Sequence, residues 1–231
     1  FDRLTEAKRS GTVQWAMRPL LASLLLLGAA HFGAGDASAQ GNMRRPLTSA
    51  EEARLERGDI VVRSTSERRG PLRLFGGTSY ILVDMSLRDA WASITDDSSQ
   101  YRHMLPQVHS ATQVSRNGDT ERLIRFTHEV GPVSAEYCLR FQYNASTKTV
   151  MFRLDPSRPH DVRAAWGFFR LRSHGNGKTL VSFGAMVDVG SGLISGALQA
   201  RLHEWVLKIP WTFKRHVEGE GRSRLARRRG R

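Results

Sequence analysis

Ile124-Arg125-Phe126-Thr127-His128-Glu129-Val130 and, just beyond Gly131-Pro132, Val133-Ser134-Ala135-Glu136-Tyr137-Cys138-Leu139-Arg140-Phe141-Gln142-Tyr143 both alternate with period two. Successive side chains of a strand point to opposite faces, so Ile124, Phe126 and His128 share one face, as do Val133, Ala135, Tyr137, Leu139, Phe141 and Tyr143. The other face of the second run carries Ser134, Glu136, Cys138, Arg140 and Gln142. Turn residues flank the pair at Asn117-Gly118-Asp119 and Asn144-Ala145-Ser146-Thr147. The next runs read as strands too: Val150 to Leu154, Arg163 to Ser173 and, after Gly175-Asn176-Gly177, Thr179 to Val187. Consecutive strands joined by short turns make an antiparallel meander, and its apolar face needs a cover.

The chain supplies that cover downstream. Ile194, Leu198, Leu202, Trp205 and Ile209 step by three or four residues, while Gln199, His203, Glu204 and Lys208 fall on the opposite side. Pro210 interrupts this helix and fits the first turn of a last segment, Trp211 to Val217. Upstream, Thr48 to Glu56 has helical spacing and stops at Gly58. Ile60-Val61-Val62 and Tyr80 to Val83 read as two short strands separated by a Gly/Arg/Ser-rich loop. Ser86 caps a helix running to Ile94, with Asp89 as the capping-box acid. A second short helix covers Ser99 to Met104 and ends before Pro106. The expected fold class is α+β: a curved antiparallel sheet wrapped around a long C-terminal helix, with two short helices after the first strands.

The ends have their own logic. Lys8, Arg9 and Arg18 precede an apolar stretch from Leu20 to Ala30, and Ala37-Ser38-Ala39 precedes Gln40. Together these read as the basic flank, apolar region and cleavage site of a secretory signal over residues 1–39. Met17-Arg18 makes a natural start, so residues 1–16 read as an over-extended one. The apolar run falls short of the roughly 20 residues a stable membrane span needs. The expected location is periplasmic or secreted. Residues 40–54 form a linker and short helix, 55–218 the domain, and 219–231 a basic, disordered tail.

Composition narrows the chemistry. At 40% apolar and 25% charged residues the chain reads as globular. Cys138 is the only cysteine, which rules out an internal disulfide and a cysteine metal cluster. The eight histidines are scattered without metal-ligand spacing. Gly190-Ser191-Gly192 lacks a nucleophile-elbow frame, and Gly175-Asn176-Gly177-Lys178-Thr179 is too short for a phosphate loop. No cofactor and no metal are expected. The net charge is +13, and Arg222, Arg224, Arg227, Arg228, Arg229 and Arg231 all follow the last acid, Glu220. Such a tail is either solvated or a contact for an anionic membrane surface; export disfavours nucleic acid.

Several stretches, in order, resemble the START-like (SRPBCC) superfamily, in particular its polyketide cyclase/dehydrase and coenzyme Q-binding branch. They are Arg88-Asp89-Ala90-Trp91 with Thr95-Asp96-Asp97, Tyr101-Arg102-His103-Met104-Leu105-Pro106, and Ala165-Trp166-Gly167-Phe168-Phe169-Arg170-Leu171. Gly177-Lys178-Thr179 and Ile209-Pro210 with Lys214-Arg215-His216-Val217-Glu218 complete the series. The resemblance spans about residues 55–218. It implies a helix-grip fold whose sheet and C-terminal helix enclose an apolar pocket for a lipid, an isoprenoid or quinone, or a polyketide-like molecule.

Strand alternation then names the candidate lining: Ile124, Phe126, His128, Tyr137, Leu139, Phe141, Phe152, Phe169 and Phe183, facing Leu198, Leu202 and Trp205, with Tyr101 at the mouth. The alternative for each is plain core packing with its polar tip satisfied by backbone. Two functions follow. The first is an exported, non-enzymatic carrier for a hydrophobic ligand. The second is an aromatase/cyclase-type enzyme using His128 and Tyr137 as acid/base groups. A closed core with no ligand, in which the tail or end helix contacts other proteins, is the third option.

Overall fold

The computed structural model describes residues 45–96, 100–105, 107–130, 133–190 and 196–219, without the side chains of residues 130, 133 and 196–199. The expected leader, nearly all of the expected basic tail, Ile194 and the side chain of Leu198 lie outside what is described.

The chain opens with helix α1 (Ser49–Glu56). Thr48 caps it with a complete capping box: its hydroxyl accepts from the Glu51 N–H while the Glu51 carboxylate accepts from the Thr48 N–H. A long hairpin follows, β1 (Val61–Arg69) and β2 (Leu72–Val83). Here the expectation of two short strands around a loop is corrected: residues 63–79 are strand on both sides of a two-residue turn. Their Arg, Ser, Thr and Gly content hides them from a pattern search, because the β1–β2 ladder is carried by the backbone. Gly70 supplies the turn's positive φ of 57°.

Two short helices come next, α2 (Leu87–Thr95) and α3 (Tyr101–Met104). Ser86 caps α2 by accepting from the Asp89 N–H, and its own hydroxyl donates to the Asp89 carboxylate at 2.8 Å. Asp89 therefore serves the cap through the serine side chain. The meander then runs β3 (Val108–Asn117), β4 (Glu121–Val130), β5 (Val133–Asn144), β6 (Thr149–Leu154), β7 (Ala164–His174) and β8 (Lys178–Asp188). All eight strands form one antiparallel sheet in the order β1-β2-β8-β7-β6-β5-β4-β3. The first hairpin folds back beside the last strand, so the sheet is curved and not closed.

The C-terminal cover is two helices, α4 (Gly196–Leu207) and α5 (Ile209–Glu218), with Lys208 between them and Pro210 in the first turn of α5. Phe213 and Val217 of α5 are fully buried in the main core with Ile81, Val83, Phe169 and Val181. Lys214 donates to the Leu82 carbonyl at 2.8 Å, and Glu218 accepts from the Asp84 N–H at 2.6 Å. His203, expected on the solvent side of α4, instead bonds the Gly76 carbonyl of β2 at 2.8 Å and lies against Phe75.

The outer face of the sheet is apolar in two places as well. Leu74, Ala164, Phe168 and Met186 form one cluster there. Leu55 of α1 covers Val61, Tyr80 and Leu82 in the other. Arg63 fixes α1 in place with a two-point contact to Glu51, at 2.9 and 2.6 Å, and bonds to the carbonyls of Arg45 and Pro46.

Candidate functional site

Between the sheet and α4 lies a cavity of about 170 Å³. A single water needs about 10–15 Å³ of such space, so this hollow is far larger than a packing defect. Its wall is almost wholly apolar.

The wall is built strand by strand from residues on one alternating face. On β5 it takes Ala135, Tyr137, Leu139 and Phe141; on β7, Ala165 and Phe169; on β8, Phe183, Ala185 and Val187. Phe152 of β6 joins them, and α4 closes the other side with Leu202, Trp205 and Val206, followed by Ile209. Register explains the order of the aromatic rings. Phe141 pairs directly with Phe152, and Phe169 with Phe183. Neighbouring rings lie 5.8 Å apart for Phe141–Phe152, 6.0 Å for Phe152–Phe183 and 4.7 Å for Phe169–Phe183. Alanines at 135, 165 and 185 sit on the same face, and their short side chains leave the space that larger residues would fill.

Of the thirteen residues expected at the site, ten line the cavity: Tyr101, His128, Tyr137, Leu139, Phe141, Phe152, Phe169, Phe183, Leu202 and Trp205. Ile124 and Phe126 do not; both are fully buried in the core beyond its edge. The cause is α3. Tyr101 packs over this end of β4, edge-on to Phe126 at 6.2 Å and 5.0 Å from Phe141, so the hollow begins only at His128. The Leu198 side chain is not described. Phe75, Leu105, Gln107, Val162 and Val189 also line the cavity and were missed, Phe75 because its strand read as a loop. The alanines and Val187 were findable, since they continue the period-two face on which Phe169 and Phe183 lie.

Two polar groups stand out in this wall. His128 on β4 and Tyr137 on β5 are diagonal neighbours across the ladder, because His128 pairs with Ala135 and Phe126 with Tyr137. Their rings stack at 5.5 Å and 15°, and the Tyr137 hydroxyl meets His128 Nε2 at 2.7 Å. Burial pushes the His128 imidazole down to about 4, against an opposing pull from the Gln107 backbone. Burial likewise pushes the Tyr137 phenol up. At neutral pH both are uncharged. Gln107, at the exposed rim, holds a positive φ of 58°, a backbone conformation uncommon for a side chain of its kind.

Tyr101 serves a different purpose. Its hydroxyl meets that of Tyr143 at 3.0 Å and bonds the Ile94 carbonyl at 3.2 Å. Arg122 lies over the Tyr143 ring at 5.0 Å and donates to the Thr95 carbonyl at the end of α2. These bonds tie α2 and α3 to the sheet, and burial holds the Tyr101 phenol protonated.

No family model matches the sequence, and no curated protein matches it. Solved structures do. A STAR-related lipid transfer protein fragment from Xanthomonas axonopodis is 17% identical, covering 69% of this chain and 93% of its own, with a TM-score of 0.53. The Zhui aromatase/cyclase from Streptomyces sp. R1128 is 13% identical, covering 66% of this chain and 96% of its own, with a TM-score of 0.54. The chain has the helix-grip fold of START-like proteins. Human STARD10, 11% identical, covers 77% of this chain and 82% of its own at a TM-score of 0.52. At these identities the likeness establishes architecture, which does not by itself fix activity.

Proposed function

We propose that this protein binds a hydrophobic small molecule in the cavity between sheet and α4 and carries it without chemical change. The observation that supports this best is the hollow itself, walled by Phe141, Phe152, Phe169, Phe183, Leu202 and Trp205. Mostly apolar concave sites with a few orienting polar groups are the usual form of a small-molecule pocket. The START-like fold is shared with a lipid transfer protein, which agrees with the same reading. The leader motif over residues 1–39 supports action outside the cytoplasm, and the terminal arginines support a contact with anionic membrane.

The test is native mass spectrometry of the purified full chain with lipid extraction, followed by uptake of an apolar fluorescent probe. The expected result is co-purifying apolar material, with probe uptake lost in Phe141→Arg and Leu202→Arg. Protein that emerges empty and takes up no probe overturns the proposal.

A cyclase-type reaction is the second reading, favoured by the 2.7 Å contact between Tyr137 and His128. It requires that His128→Ala and Tyr137→Phe abolish turnover of a polyketide substrate. Against it, an imidazole whose pKa is near 4 is a weak base at neutral pH.

A further inference from the structure

The polar content of the cavity wall is more restrictive than its greasiness. None of the described lining residues carries a formal charge at neutral pH. Of the arginines next to lining residues on the sheet side, Arg140 bonds Glu121 and Asp155, Arg163 pairs with Asp188 at 3.7 Å and Arg170 bonds the Thr149 hydroxyl. An anionic group brought against this wall would lose its water with no counter-charge to replace it, which is strongly unfavourable. The Tyr101 hydroxyl is occupied by Tyr143 and Ile94. That leaves the Tyr137–His128 pair as the main inward polar feature, with Gln107 at the rim.

The pair has spare capacity of a particular kind. If the phenol donates to Nε2, its oxygen keeps lone pairs for a further donor; if Nε2 donates, the phenol O–H is free for an acceptor. A hydroxyl group satisfies either arrangement because it both donates and accepts. We propose that the cavity selects an uncharged apolar molecule bearing a hydroxyl group, which docks on the Tyr137–His128 pair, and that it discriminates against the matching carboxylate. This rests on the apolar-ligand reading above and adds the chemistry of the ligand's polar end.

The full chain, stripped of bound lipid on a hydrophobic resin, is titrated at pH 7 with three probes. Retinol and retinoic acid share a skeleton and differ at the polar end; 1,6-diphenylhexatriene has no polar end. Quenching of tryptophan emission reports the retinoids, and the hydrocarbon reports itself by its emission. The expected result is that retinol binds about tenfold or more tighter than retinoic acid. Tyr137→Phe should then reduce that preference several-fold. Equal or tighter binding of the acid, or binding of the hydrocarbon alone, overturns the inference and leaves the apolar-ligand proposal standing. Failure of all three probes overturns both. Since the decisive comparison uses the unaltered protein, a Tyr137→Phe chain that does not fold leaves the outcome intact.

Discussion

His128 illustrates how far a residue's neighbourhood can move its chemistry. Its ordinary value of 6.5 falls to about 4 because burial penalises the imidazolium. Between those values the unfolded chain binds a proton that the folded chain does not, so stability falls as pH drops from 6.5 to 4 and levels off below. The loss amounts to about 3 kcal/mol. Denaturant melts across this range should show it, and the slope should shrink in His128→Gln. Glu51 adds a second, more acidic window. Its contact with Arg63 lowers its carboxyl from 4.5 to about 2, so its contribution is present above 4.5 and disappears as pH falls toward 2. In Glu51→Gln that lower limb should flatten, with a cost near neutral pH of about 1 kcal/mol.

Elements depend on contacts that only the assembled sheet offers. Gly76 has φ of 152°, and a Cβ there would lie 1.9 Å from the Ala185 carbonyl oxygen on the neighbouring strand. Neither backbone can yield, so Gly76→Ala should cost more than about 3 kcal/mol or prevent folding, as read from a thermal melt. The same glycine's carbonyl receives His203, which docks α4 over the cavity. His203→Ala should leave the sheet intact, cost about 1 kcal/mol, and speed hydrogen exchange within 200–207 more than within α5. The α4 pattern around Leu202 and Trp205 was readable because apolar residues recur at helical spacing. His203 was not, because a polar residue beside a stripe reads as solvent-facing unless its partner's position is known.

For the whole molecule the question is which parts hold the fold and which parts hold the hollow. Phe213 is fully buried in the core between α5 and the sheet but takes no part in the cavity wall. Phe213→Ala should therefore destabilise by about 3–5 kcal/mol, seen as a lowered midpoint in urea. Leu202 is only partly buried, and an arginine head at that point can reach water. Leu202→Arg should keep a midpoint close to that of the parent and lose probe uptake. If the two variants behave alike in both assays, core and cavity are not separable in this protein.

The strand runs from Val108 to Val187, the capped helix at Ser86 and a helix break just before Pro210 follow from local order alone: period two, helical spacing, and a ring that suits the first turn of a helix. The inward face of β4 to β8 follows for the same reason, and seven of the ten expected residues that line the cavity stand on it. Tertiary structure decided the rest. The β1–β2 hairpin exists because β8 offers its edge to a polar segment. Phe126 belongs to the core because Tyr101 packs against it, and Ile124 lies in the same buried cluster. The hollow exists because the three alanines bring no side-chain bulk where α4 crosses the sheet. Alternation tells which side a residue faces; how much matter arrives opposite it is set by elements far away in the chain.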